Sequence, residues 1–172
     1  MEPVTATDSE VRPIPWRDAA DLDECQVDDA LRGWLEDDGS LTRRLRRLGG
    51  RRFRLDVVGE GWEEAGEEDL QLLACASGRV RVRRVRLAAG GSQLVYASTR
   101  MPPETLARHP WLGRLGRKPL GEALADRSDV RRTPFEFAEI PSVDPMLSEA
   151  INGIDIPPLK LWSRRSLFYI GD

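Results

Sequence analysis

Histidine, lysine and cysteine are nearly missing from this chain. Its 172 residues hold one histidine, His109, two lysines, Lys118 and Lys160, and two cysteines, Cys25 and Cys75. A single histidine excludes a histidine-rich metal site and leaves any Ser-His-Asp triad dependent on His109 alone. In ARHPW that histidine reads as a loop or helix-end residue before a proline. The two cysteines lack CxxC spacing and carry no zinc signal; in a cytoplasmic protein they read as reduced and packed. Long apolar runs are absent as well, so no segment has the length to cross a bilayer. The opening MEPVTATDSEVRPIPW has an acidic residue at position 2 and no apolar h-region. That pattern is no signal peptide, and the cytoplasm is the expected location.

What is present is an ordinary globular mixture, 40% hydrophobic and 32% charged. The length predicts one core in one domain. Net charge is -3 and the isoelectric point about 5.4. This argues against a general polyanion binder and leaves room for a local basic patch. With lysine so scarce, arginine carries nearly all the cationic chemistry.

Residues 1–26 are proline-rich, acidic and aperiodic, and read as an extended lead-in. Val27, Leu31, Trp34 and Leu35 then follow a helical spacing that Asp38-Gly39 ends. Ser40 or Thr42 caps a second helix with apolar positions Leu41, Leu45 and Leu48, stopped by Gly49-Gly50. From Phe53 the period becomes two. Phe53, Leu55 and Val57 alternate with charged residues, as in a half-buried strand. A second strand spans Val80 to Leu87. Ala89-Gly90-Gly91 turns it into a third, Gln93 to Arg100. Pro102-Pro103 ends that strand, a short helix covers about 104–108, and another starts near Pro119. Phe135 to Ile140 is a fourth strand. A proline-rich connection, 141–160, holds one helical turn near Met146 to Ile151. Trp162 to Ile170 is a fifth strand. Hairpin strands interspersed with helices indicate an α+β fold with a mainly antiparallel sheet.

The second strand is the most informative. Parity puts Arg81, Arg83, Val85 and Leu87 on one face and Val80, Val82, Arg84 and Arg86 on the other. Arg83 thus shares a face with residues that look core-directed. A buried arginine needs an anionic partner. That partner is an internal Asp or Glu, or a carboxylate ligand, unless a bulge turns Arg83 outward. Seven arginines crowd Arg43 to Arg54. They read as a solvated helix face and strand edge, with a phosphate or nucleic-acid surface as the functional alternative; stacking aromatics are wanting apart from Phe53. The acidic run in GWEEAGEEDL reads as a solvated loop. GSLT and KPLG are helix starts with exposed amides, which suit a carboxylate but are common.

In order along the chain, WLEDDGSLTRRLRRLGG (34–50), VRRVRL (82–87), LVYASTRMP (94–102), LGRKPLGEAL (115–124) and LWSRRSLF (161–168) resemble the chorismate lyase family. The resemblance implies one domain over 27–172, an antiparallel sheet with helices on it and an internal ligand cavity. It implies elimination of pyruvate from chorismate to give 4-hydroxybenzoate, the first step of ubiquinone synthesis, with no cofactor and no nucleic acid; the sequence does not give the oligomeric state, and a monomer is the expectation. It also implies that Arg83 and the backbone amides of Leu41 and Leu120 hold the ligand's carboxylate, Arg83 being the catalytic position matched here.

Two departures stand out. The connection 141–160 is longer than in the shortest family members. The family also carries a glutamate on a strand following the RRS segment, and no glutamate here matches it before the sequence closes at Asp172. On that basis the expectation is an unpaired strand around Arg164 to Ile170 and weak lyase activity. Two rivals remain: a non-catalytic ligand-binding module of the same fold, and an RNA- or phosphate-binding protein using Arg43 to Arg54.

Overall fold

A computed structural model of the chain describes residues 14–24, 27–125, 127–140, 144–155 and 161–171. Cys25, most of the 1–26 lead-in and much of the 141–160 connection lie outside these. The helices are α1 (Asp29–Leu35), α2 (Leu41–Gly49), α3 (Glu67–Leu73), α4 (Pro103–Arg108), α5 (Leu120–Ala125) and α6 (Pro145–Ile151). The strands are β1 (Arg17–Asp18), β2 (Arg54–Glu64), β3 (Arg79–Ala89), β4 (Ser92–Met101), β5 (Val130–Arg132), β6 (Glu136–Ile140), β7 (Leu161–Arg165) and β8 (Phe168–Ile170). The fold class is α+β, and the registered strand pairs are antiparallel. The chain forms two compact units, one from residues 1–36 and 132–168, the other from 37–131 and 169–172.

In the first unit β1, β6 and β7 form a sheet in that order. Leu22, Leu35 and Phe137 make its buried cluster, with Val27, Leu31, Phe135 and Trp162 packed around them. The amphipathic spacing of α1 therefore has its expected effect, and the side chain of Asp28 caps the helix by accepting from Leu31 N–H. Arg164 closes the other end. Its Nη1 donates to the carbonyls of Trp34 and Leu35 at 3.1 and 2.9 Å, groups that the end of a helix leaves without partners. Arg165 forks onto Glu136 and lies over the Trp16 ring. Part of the expected lead-in is structured: Arg17 and Asp18 pair with Phe137 and Glu136, and Leu22 is buried.

In the second unit β2, β3 and β4 form a sheet in that order. The β3–β4 turn uses Gly90 and Gly91, both at positive φ, which a tight hairpin requires. α3 and the segment after it bring Leu73 and Cys75 against Val80 and Val82. α2 lies on the sheet and on α5. Its last residue, Gly49, comes so near β3 that a Cβ there would sit 2.9 Å from Ala89 Cβ.

Several expectations are corrected. The acidic run is no loop. It is the end of β2 followed by α3, whose backbone start at Gly66 is held by the Asp69 carboxylate. Leu48 is 61% exposed rather than core, because α2 meets the sheet through Leu45 and Gly49. Trp162 to Ile170 is not one strand but two, broken at Ser166-Leu167. β7 pairs with β6, and β8 pairs with β5.

Candidate functional site

The alternation of β3 holds along its whole length, because the two irregularities of the sheet fall in its neighbours. An extra residue, Val58, interrupts β2 between Val57 and Gly59, and another, Leu94, interrupts β4. Arg83 therefore does face the same side as Val85, Leu87 and Ala89. It is 2% exposed. Ala89 lies against Gly49 of α2, so that helix packs on Arg83's side of the sheet.

The guanidinium of Arg83 meets three acceptors. Nη2 donates to Gly116 O at 2.7 Å and, more weakly, to Lys118 O at 3.5 Å. Nη1 donates to Glu60 Oε2 at 3.4 Å. Of the partners left open by parity, the described residues thus supply an internal carboxylate and two carbonyls. The carbonyls belong to the turn that leads through Pro119 into Leu120, the first residue of α5. Gly116 takes a positive φ to make that turn, and Arg117 ties it to β2 by donating to Leu55 O at 2.9 Å. Arg83 is thereby hydrogen-bonded to the segment that carries Leu120.

Leu41 is the first residue of α2, after the cap Ser40, whose side chain accepts from Arg43 N–H. The first intrahelical donor of α2 is Arg44, bonded to Ser40 O, and that of α5 is Ala123, bonded to Pro119 O. The amides of Leu41 and Leu120 precede those bonds, the condition under which a helix start receives an anion. The two helices are joined by Arg46, whose Nε donates to Glu122 Oε1 at 2.8 Å. Arg83, Leu41 and Leu120 all lie in the second unit.

The arginine cluster divides. Arg44 pairs with Asp37, and Arg46 pairs with Glu122 while lying over the Phe53 ring. Arg43, Arg47, Arg51, Arg52 and Arg54 are exposed. His109 follows α4 and donates its backbone N–H to Thr105 O. Cys75 is a free, buried thiol bonded to Arg79 O. Among the described residues, no three His, Cys, Asp or Glu side chains gather as a metal ion needs. None of the helices there is long and apolar enough to span a membrane.

Glu60 was the residue that sequence reasoning passed over. It stands opposite Arg83 in register. Its Oε1 also accepts from Arg81, from Nη2 at 3.1 Å and Nε at 3.3 Å. The strand parity set by Phe53, Leu55 and Val57 assigns position 60 to the other face. Only the extra residue at Val58 brings it round, and no composition signal marks that residue.

Comparison with known proteins identifies the family. The family model described as chorismate lyase matches residues 11–172. A probable chorismate pyruvate-lyase of Thiobacillus denitrificans is 36% identical over 146 residues, covering 83% of this chain and 77% of that protein. One of Pseudomonas putida is 35% identical over 152 residues, covering 87% and 76%. One of Nitrosospira multiformis is 32% identical over 140 residues, covering 80% and 77%. With the match running from the segment before β1 through the last strand, the chain belongs to the chorismate lyase family.

Proposed function

We infer that this chain binds chorismate and eliminates pyruvate from it to give 4-hydroxybenzoate, supplying ubiquinone synthesis in the cytoplasm without a cofactor. The observation that carries the reading is the buried Arg83 on the helix-covered face of the sheet, hydrogen-bonded to the turn that leads into Leu120. A guanidinium fork fits a carboxylate in two directions, which a lysine does not. In this reading Arg83 and the amides of Leu41 and Leu120 take the ring carboxylate of chorismate. The ether C–O bond to the enolpyruvyl group breaks, the ring carbon that bears the hydroxyl gives up its proton so that the ring becomes aromatic, and the departing enolpyruvate takes up a proton to become pyruvate. Aromatisation supplies the driving force. The protein holds a reactive conformer and meets charge on the separating fragments.

The test is an assay of the purified chain with chorismate, following 4-hydroxybenzoate by absorbance, beside calorimetric titration with 4-hydroxybenzoate. Turnover with product binding supports the lyase. Binding without turnover marks a ligand-binding relative of the same fold. Absence of both sinks the reading of Arg83.

A further inference from the structure

We propose that Glu60 is the positioning residue of Arg83, a role that rests on reading Arg83 as the group that receives the ligand's carboxylate. The first observation is the register of β2. Were Val58 paired in regular alternation instead of bulged, Gly59 would stand opposite Arg83, and Glu60 would project from the other face beside Val82. The extra residue moves Glu60 directly across from Arg83. Bulges of this kind recur beside functional sites because they re-aim one side chain while leaving the sheet intact.

The second observation is how the carboxylate is divided. Oε1 serves Arg81 and Oε2 serves Arg83, two arginines separated by one residue on the same face of β3. One carboxylate spans two guanidinium groups, so their joint charge is only half neutralised by it. Arg83 is meanwhile gripped on its other nitrogen by Gly116 O. Held by the carboxylate through one nitrogen and by the turn through the other, its plane is set before any ligand arrives. A ligand then spends little of its binding free energy ordering that side chain. Glu60 acts through Arg83 and needs no contact with the substrate.

A plain charge neutraliser behaves in the opposite way. It competes with the ligand's carboxylate, and its removal tightens binding. A positioning group loosens binding when it is removed. The 172-residue chain is titrated with 4-hydroxybenzoate as wild type, Glu60→Gln, Arg81→Gln and the double variant, with a thermal melt of each. Glu60→Gln offers one carbonyl oxygen to two arginines. It should weaken binding about tenfold, as expected when a supporting group of a preorganised site is lost. Arg81→Gln alone should change little. In the double variant the amide oxygen serves Arg83 alone, and affinity should return to within about threefold of wild type.

Tighter or unchanged binding by Glu60→Gln overturns the proposal. So does a loss that the double variant fails to restore, since Glu60 would then matter only for folding. Should Glu60→Gln not fold, Glu60→Asp keeps the charge and withdraws it by one methylene. Weaker binding by that variant supports positioning, and equal binding refutes it. A wild-type chain that does not bind 4-hydroxybenzoate removes the reading of Arg83 and this role together. Wild-type binding beside an unaffected Glu60→Gln removes the role alone.

Discussion

Arg83 and Arg84 are chain neighbours on opposite faces of one strand, and they are partnered in different ways. Arg84 forks onto Glu63 with both of its terminal nitrogens, and the Nη2–Oε2 bond is 2.8 Å. On the same face Arg100 holds Asp69 of α3. Each of these cations has a carboxylate close by, and each pair joins elements of the fold. On the other face Arg81 and Arg83 divide one carboxylate, and the more buried of the two has the longer contact. A matched pair partly exposed to water contributes little beyond local order. A buried cation with an incomplete set of anionic partners is expensive to keep, and an anionic ligand completes it.

The largest expected effect breaks that asymmetry directly. Arg83→Ala should remove 4-hydroxybenzoate binding, costing about 2–5 kcal/mol through lost charged hydrogen bonds. Arg84→Ala should leave the dissociation constant within about twofold of wild type, because its pair serves the fold. Parallel titrations decide this, and equal losses from the two variants would erase the distinction between the faces.

A second expectation sharpens what covers Arg83. Gly49→Ala forces a methyl group against Ala89 of β3, with the β3 Cα only 3.0 Å from the new atom. Overpacking of this kind costs about 1–3 kcal/mol. A denaturant titration should show that loss, whereas Gly61→Ala, with open space around its Cβ, should cost less.

The helix starts give a third test. Proline is accepted at the first position of a helix but has no N–H. Leu41→Pro and Leu120→Pro should therefore fold yet bind 4-hydroxybenzoate more weakly than the corresponding methionine variants. Equal affinities would remove the amide donors from the proposed site.

The smallest effect belongs to the Arg84 face. The hydrogen bond from Arg84 holds the Glu63 carboxyl below its ordinary value of 4.5, against a desolvation that raises it. A carboxyl lowered on folding stabilises the protein above its unfolded pKa and loses that contribution as pH falls through the folded value. Glu63→Gln should cost no more than about 1 kcal/mol near neutrality, since the pair is partly exposed. The gap from wild type should close as melts are repeated well below pH 4.5.

How far these features were legible depended on local regularity. β3 has no irregularity of its own, so alternation alone placed Arg83 correctly. β2 begins on the same rule and abandons it. Leu55 is buried as alternation requires, but Val57 is 37% exposed at the point where the register shifts. The acidic residues after it look solvated by composition. Their carboxylates are instead drawn to arginines of β3 and β4, partners too distant in sequence for a local reading to find. Leu22 shows the same limit, a single apolar residue in an aperiodic stretch that is buried beside Phe137. The hairpin glycines and the cap of α2 were readable because each depends on neighbours a few residues away.

Val58 has a half-open side chain, and by the usual measures of mutational sensitivity it should rank low. Almost any residue ought to serve there. Removing it costs little in register as well, because Val57 stays opposite Val85 and Gly59 opposite Arg84, so that Glu60 still meets Arg83. A paired residue beyond it is another matter, since a slip of one residue in a strand reverses every side chain that follows. Without Gly61, Trp62 would move opposite Val82 and Glu63 would leave the face of Arg84 for that of Arg81. A scan of single deletions through residues 56–62 should therefore find β2 tolerant at position 58 and sensitive past Glu60, the bulge acting as the one place where this strand can change length.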